Sequence, residues 1–254
     1  MLSINAAQMK VFEEASLRSF ENEMVLHSQE FSSKLCEVIG EDQLRIALRQ
    51  AIKRADSYGF TLKGPIRLYI ELMFLFGSDF DTDPQFPAIA EILQSDVLEM
   101  ERAEKIHEWV LDYNKCVNGK NNANVHSALK ELSYFSKSEF NFTAYNFKEE
   151  IHQEMQRAFP QKIAFIGREK LGMLIDDACA KAQSYNFNTI RGQSTIVVLM
   201  FAFGRGCVND PLYPWIFKTL KNPKIRDSIT RQNKLERKSI TWLDHVLKDI
   251  NIGR

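Results

Sequence analysis

The run Leu72-Met-Phe-Leu-Phe-Gly-Ser-Asp-Phe-Asp-Thr-Asp-Pro84 returns as Leu199-Met-Phe-Ala-Phe-Gly-Arg-Gly-Cys-Val-Asn-Asp-Pro211, displaced by 127 residues. In each, an apolar segment stops at a glycine and a loop closes on Asp-Pro. The displacement holds outward in both directions. Upstream it pairs Phe20 with Phe147, Gly40 with Gly167, Leu44 with Leu171, Ala51 with Ala178 and Tyr58 with Tyr185; downstream it pairs Pro87 with Pro214, Ile89 with Ile216 and Leu93 with Leu220. Two amphipathic helices share apolar positions merely because both follow one period. Shared glycines, prolines and aspartates in one unbroken register need another cause, and an internal repeat takes precedence over other readings of the fold.

Each unit reads as helices. Leu44, Ala47, Leu48, Ala51, Ile52 and Ala55 recur at helical spacing, with Arg45, Arg49 and Lys53 largely off that stripe. Leu171, Leu174, Ile175, Ala178, Cys179 and Ala182 repeat it. Both stripes end at Ser-Tyr-x-Phe, where Gly59 and Asn186 suit a left-handed helix terminus. Pro65 suits the first turn of a following helix, and the apolar runs to Phe76 and Phe203 suit central helices. The β-branched content of Thr195 to Met200 leaves a strand open as the alternative there. Long helices are expected from Ala6 to about Glu30 and from Asn141 to Phe159, the latter capped by Asn141 or Thr143. Short helices are expected at Ala88 to Leu93 and Trp215 to Leu220, and closing helices at Val97 to Cys116 and Ile225 to Ile250. The turn-forming stretch Val117 to Asn124 is the expected boundary, followed by a short helix to about Lys137. The fold class expected is all-α: two tandem homologous helical units, an internal duplication, packed as one helical-bundle protein. The units are residues 1–116 and 141–254, with 117–140 a linker carrying a short helix.

Composition narrows the function. Lysine plus arginine, 33, equal aspartate plus glutamate, 33, so no overall basic field favours nucleic acid. The apolar stretches Leu68 to Phe76 and Ile196 to Phe203 are far shorter than the roughly 20 residues a membrane span needs. Residues Met1 to Asn5 show neither a basic nor an apolar export region, so a cytoplasmic location is expected. Cys36, Cys116, Cys179 and Cys207 are far apart and without a C-x-x-C pair, which fits free, mostly buried thiols.

No motif brings chemistry with it. His27, His107, His126, His152 and His245 lack zinc spacing, and no phosphate-binding glycine loop or nucleophile elbow is present. Asp79, Asp81 and Asp83 resemble the start of a calcium loop, but Pro84 and Ala90 stand where glycine and glutamate are required. Asp83 and Asp210 are better placed to bind local amides ahead of proline. No catalytic residue, cofactor or metal site is therefore expected. The candidate protein-binding residues are Phe80, Asp81, Asp83 and Phe86 in the first loop and Tyr213 and Trp215 in the second, since loop aromatics often anchor interfaces. The alternative, weighed evenly, is that these aromatics fold back to plug the ends of each bundle.

The run Tyr69 to Pro84, preceded by Ile52-Lys-Arg-Ala-Asp-Ser-Tyr-Gly59, resembles an uncharacterised helical protein family encoded in bacterial type VI secretion effector clusters. The resemblance covers about Gln8 to Leu93, and Cys207 and Val208 of the second unit depart from its pattern. It implies a non-enzymatic, protein-binding accessory factor of adaptor or chaperone type whose partner is a secretion-system effector or spike component. An immunity protein that neutralises a cognate toxin is the alternative, and an enzyme or effector comes third.

Overall fold

The computed structural model describes residues 6–138, 142 and 145–252. It is all-helical, with no strand among the described residues. The helices are α1 (Ala6–Phe31), α2 (Ser33–Ile39), α3 (Glu41–Ser57), α4 (Lys63–Phe76), α5 (Pro87–Gln94), α6 (Glu99–Tyr113), α7 (Ala123–Lys137), α8 (Phe147–Ala158), α9 (Pro160–Ile166), α10 (Arg168–Ser184), α11 (Ile190–Phe203), α12 (Pro214–Leu220) and α13 (Ser228–Ile252). The bounds of α2, α3 and α4 recur in α9, α10 and α11, each displaced by 127 residues.

The small-and-large stripes do what their spacing suggests. Leu44, Ala47, Leu48, Ala51 and Ala55 are buried on α3, which packs against α4; Leu171, Leu174, Ile175, Ala178 and Ala182 are buried on α10, which packs against α11. Leu72 and Leu199 sit inside the resulting core, where truncating either to alanine would cost about 2–5 kcal/mol. The segment from Thr195 to Met200 is helical, which removes the strand alternative. Thr189 caps α11 by accepting from the Gly192 amide at 3.0 Å, and Ile196, Val197, Leu199, Met200 and Phe201 are all buried, so packing outweighs β propensity. Gly59 and Asn186 do take positive φ, at 72° and 59°.

Three expectations need adjustment. The helix read from Asn141 begins at Phe147, and Asn141 and Thr143 lie outside the described residues. The first closing helix ends at Tyr113 and widens into a π turn over Asn114–Asn118, whose Val117 is fully buried and which packs against α9. The polar stretch that follows holds Gly119, Asn121 and Asn122 at positive φ, the conformation its turn formers allow. All four cysteines are free, but only Cys36 and Cys207 are buried, Cys179 is half-buried and Cys116 is exposed.

The C-terminal ends of α4 and α11 meet. Gly77 ends α4 with φ 92° and ψ 158°, and Gly204 ends α11 with φ 90° and ψ 160°, a region open essentially to glycine alone. A Cβ on Gly77 would overlap the Phe203 carbonyl oxygen, and one on Gly204 would overlap the Phe76 carbonyl oxygen. The two helix ends are thus in direct backbone contact, reciprocally. Gly40 has a similar conformation, φ 79° and ψ 160°, with open space around it. Gly40→Ala should therefore cost only backbone strain, about 1–3 kcal/mol. Gly77→Ala should cost about 1–3 kcal/mol more, because the helix ends must separate. Urea unfolding of the two variants checks this, and equal losses would show that the contact carries no weight.

Candidate functional site

The two proline loops lie against one another at this junction. Asp83 binds its own loop through Oδ1, which accepts from the Gln85 amide at 2.8 Å, and the other half through Oδ2, which accepts from the Arg205 amide at 2.6 Å. Asp210 mirrors it: Oδ1 accepts from the Leu212 amide and Oδ2 from the Ser78 amide, both at 2.8 Å. Ser78 Oγ adds a third donor to Asp210 at 2.6 Å. Each aspartate thus fixes its turn, as its place before proline suggests, and also holds the residue that follows the other half's glycine. Burial raises the carboxyl pKa of both, opposed by these amide donors.

The aromatic residues face inward. Phe80 and Phe86 are 0% and 2% exposed, Tyr213 is buried and Trp215 half-buried. Phe86 packs on Phe76 at 4.7 Å between centroids with Trp109 edge-on, and Tyr213 packs on Phe203 at 4.2 Å with Trp242 edge-on to Phe203. Asp81 and Asp83 are buried as well. The expectation that Phe80, Asp81, Asp83, Phe86 and Tyr213 are presented to a partner is therefore corrected. The rings stop the ends of the helical layers and the carboxylates hold loop backbone or the half-buried Arg54, so the folding-back alternative describes them.

Asp79 and Asp81 are both held by Arg54 of α3, which grips Asp81 through Nε at 3.1 Å and through Nη2. Tyr69 donates to Asp81 Oδ2 at 2.7 Å. Burial and Asp81 together raise the Tyr58 pKa to about 12 and that of Tyr69 further. These contacts engage Asp79 and Asp81, two of the three carboxylates that suggested a calcium loop. The corresponding positions of the second half are Lys181, Gly206, Val208 and Ile196, so the ionic cluster has no counterpart there.

One buried group gave no motif signal. Lys162 of α9 is buried; its Nζ donates to the Phe201 carbonyl at 2.5 Å and lies 4.2 Å from the Phe201 ring centroid. The one clue was the pairing itself, which sets Lys162 opposite Leu35, a charge where the other half has a leucine. Compared with protein-family models, curated protein sequences and solved structures, the chain matches none.

Burial depresses the Lys162 pKa to about 8, against the pull of Asp83. Between that value and the ordinary 10.5 the folded chain binds fewer protons than the unfolded one, so this group makes stability rise with pH across that window. Relative to Lys162→Met, the wild type should gain about 2 kcal/mol of stability from pH 7 to pH 9.5. Urea unfolding of both proteins at the two pH values measures it, and a pH-independent difference between them would refute the assignment.

Proposed function

We propose that this chain is a non-catalytic, protein-binding accessory factor of adaptor or chaperone type, working within a type VI secretion effector cluster on an effector or spike component. The observation that carries the reading is the N-terminal part of α1. Every residue with described burial from Gln8 to Ser19 is exposed, and Phe20 is the first buried one among the described residues of the helix. This segment displays Met9, Val11, Phe12 and Leu17 to solvent. Met9 and Phe12 lie at i and i+3, and Val11 and Ala15 at i and i+4, the spacings with which a helix enters a partner's groove. Apolar side chains gathered on one exposed helix support an interaction role more than scattered ones do.

The secretion-cluster setting rests on the sequence resemblance of Tyr69 to Pro84. We also propose that the halves are two copies of one ancestral helical unit. The matching bounds of three consecutive helices, the paired Gly77 and Gly204, and the reciprocal aspartates support it.

Phe12→Glu combined with Met9→Glu should weaken capture of the cluster's effector or spike protein at least tenfold while leaving the circular dichroism spectrum unchanged. Capture can be read by co-purification from the producing cell followed by titration of the recovered partner. Recovery of a toxin whose killing of its own producer this protein prevents would favour the immunity reading. Undiminished binding by the double variant would remove α1 from the proposal.

A further inference from the structure

A cavity of about 160 Å³ opens between the two halves beside Lys162. Its walls include Phe86, Phe159 and Phe201, and Tyr113 lines it from the end of α6. The π turn brings Asn114 and Asn118 to the same space, and such one-turn widenings recur at functional sites. Exposed Leu75 and Ala202 lie at its rim, so the space reaches the surface.

The chemistry of this space is incomplete as it stands. An ammonium has three donors and, once buried, is ordinarily paired with an anion. Lys162 gives one donor to the Phe201 carbonyl and forms no ion pair with a described residue. Asp83 acts on it only as a more distant charge, with both carboxylate oxygens already bound to amides of Gln85 and Arg205. Tyr113 stays protonated well above its ordinary pKa, through burial and then through Asp83, so its hydroxyl remains a donor. Apart from Asn114 and Asn118 the remaining wall is apolar, aromatic at Phe76, Phe86, Phe159 and Phe201 and aliphatic elsewhere. An apolar cavity of roughly 150 Å³ is large enough for a benzene ring.

We propose that this cavity binds a small aromatic monocarboxylate, its ring between Phe86, Phe159 and Phe201 and its carboxylate on the Lys162 ammonium, with Tyr113 as a second donor. The site is separate from the exposed face of α1 and needs no protein partner. It draws residues from each half and from the π turn between them, so an occupant would brace the junction.

Benzoate is the probe, with benzamide as its uncharged counterpart, each titrated into the full chain and followed by protein-detected NMR. Benzoate should bind, and benzamide should bind at least tenfold more weakly. Affinity for benzoate should fall as pH rises through the Lys162 pKa near 8, since only the ammonium pairs with it; the other titrating groups beside the lysine or the cavity are Asp83, whose carboxyl pKa burial raises, and Tyr113, which burial holds protonated above its ordinary pKa. Lys162→Met should lose at least tenfold in affinity, and Tyr113→Phe about threefold. Should Lys162→Met fail to fold, the benzamide comparison, the pH dependence and Tyr113→Phe decide the matter on folded protein. Absence of benzoate binding at 10 mM, equal binding of benzamide, or affinity indifferent to pH between 7 and 9.5 would overturn the proposal.

Discussion

The close approach of Gly77 to the end of α11, and of Gly204 to the end of α4, is the constraint on which the remaining architecture depends. Two helices can abut end to end at backbone distance only where neither carries a side chain and both backbones turn sharply. Once they do, the residues after the glycines, Ser78 and Arg205, have amides directed across the junction, and Asp210 and Asp83 stand ready to accept them. The contact has the self-reciprocal form of a symmetric dimer interface, here made within one chain. The aromatic layers built on Phe76 and Phe203 follow from it, because each phenylalanine immediately precedes its glycine and is held against the loop ring that closes above it.

Within that shared frame the two interiors diverge. The first half devotes its loop to an ionic cluster of Arg54, Asp79, Asp81 and Tyr69, whereas the second fills the same positions with Val208, Ile196 and the glycine on which Asp79 rests. The second half in turn buries Lys162 where the first has Leu35. Backbone-setting residues agree between the halves while charge-bearing ones do not. A common scaffold therefore need not give the two halves a common chemistry, which is why the cavity and the ionic cluster are each found once.

Much of this was legible before any coordinates. The ends of α3, α4, α10 and α11 could be placed because Gly59, Asn186, Gly77 and Gly204 punctuate the chain with conformations few other residues take, and the α3 and α10 stripes followed from spacing alone. The direction of the loops was not legible. Phe80 and Phe86 obey the same local turn chemistry whether their rings face in or out; Tyr69 of α4 receives the Phe80 ring, and Trp109 and Tyr113 of α6 receive that of Phe86. The exposure of α1 was hidden for a similar reason: Met9 and Phe12 share one helix with Phe20 and Met24, and their spacing does not show that only the later pair meets the body of the protein. Lys162 escaped because a single lysine in a short helix carries no periodic signal.

The crossed aspartates also govern how the molecule comes apart. If either half unfolded alone, the other would retain an aspartate whose second oxygen had lost its amide partner, together with a helix end newly opened to water. Such a state gives up the contact between the halves while releasing only part of the entropy of full unfolding. The halves are thus wired into one cooperative unit, and the Ser78 and Arg205 amides, though 127 positions apart, belong to the same opening event.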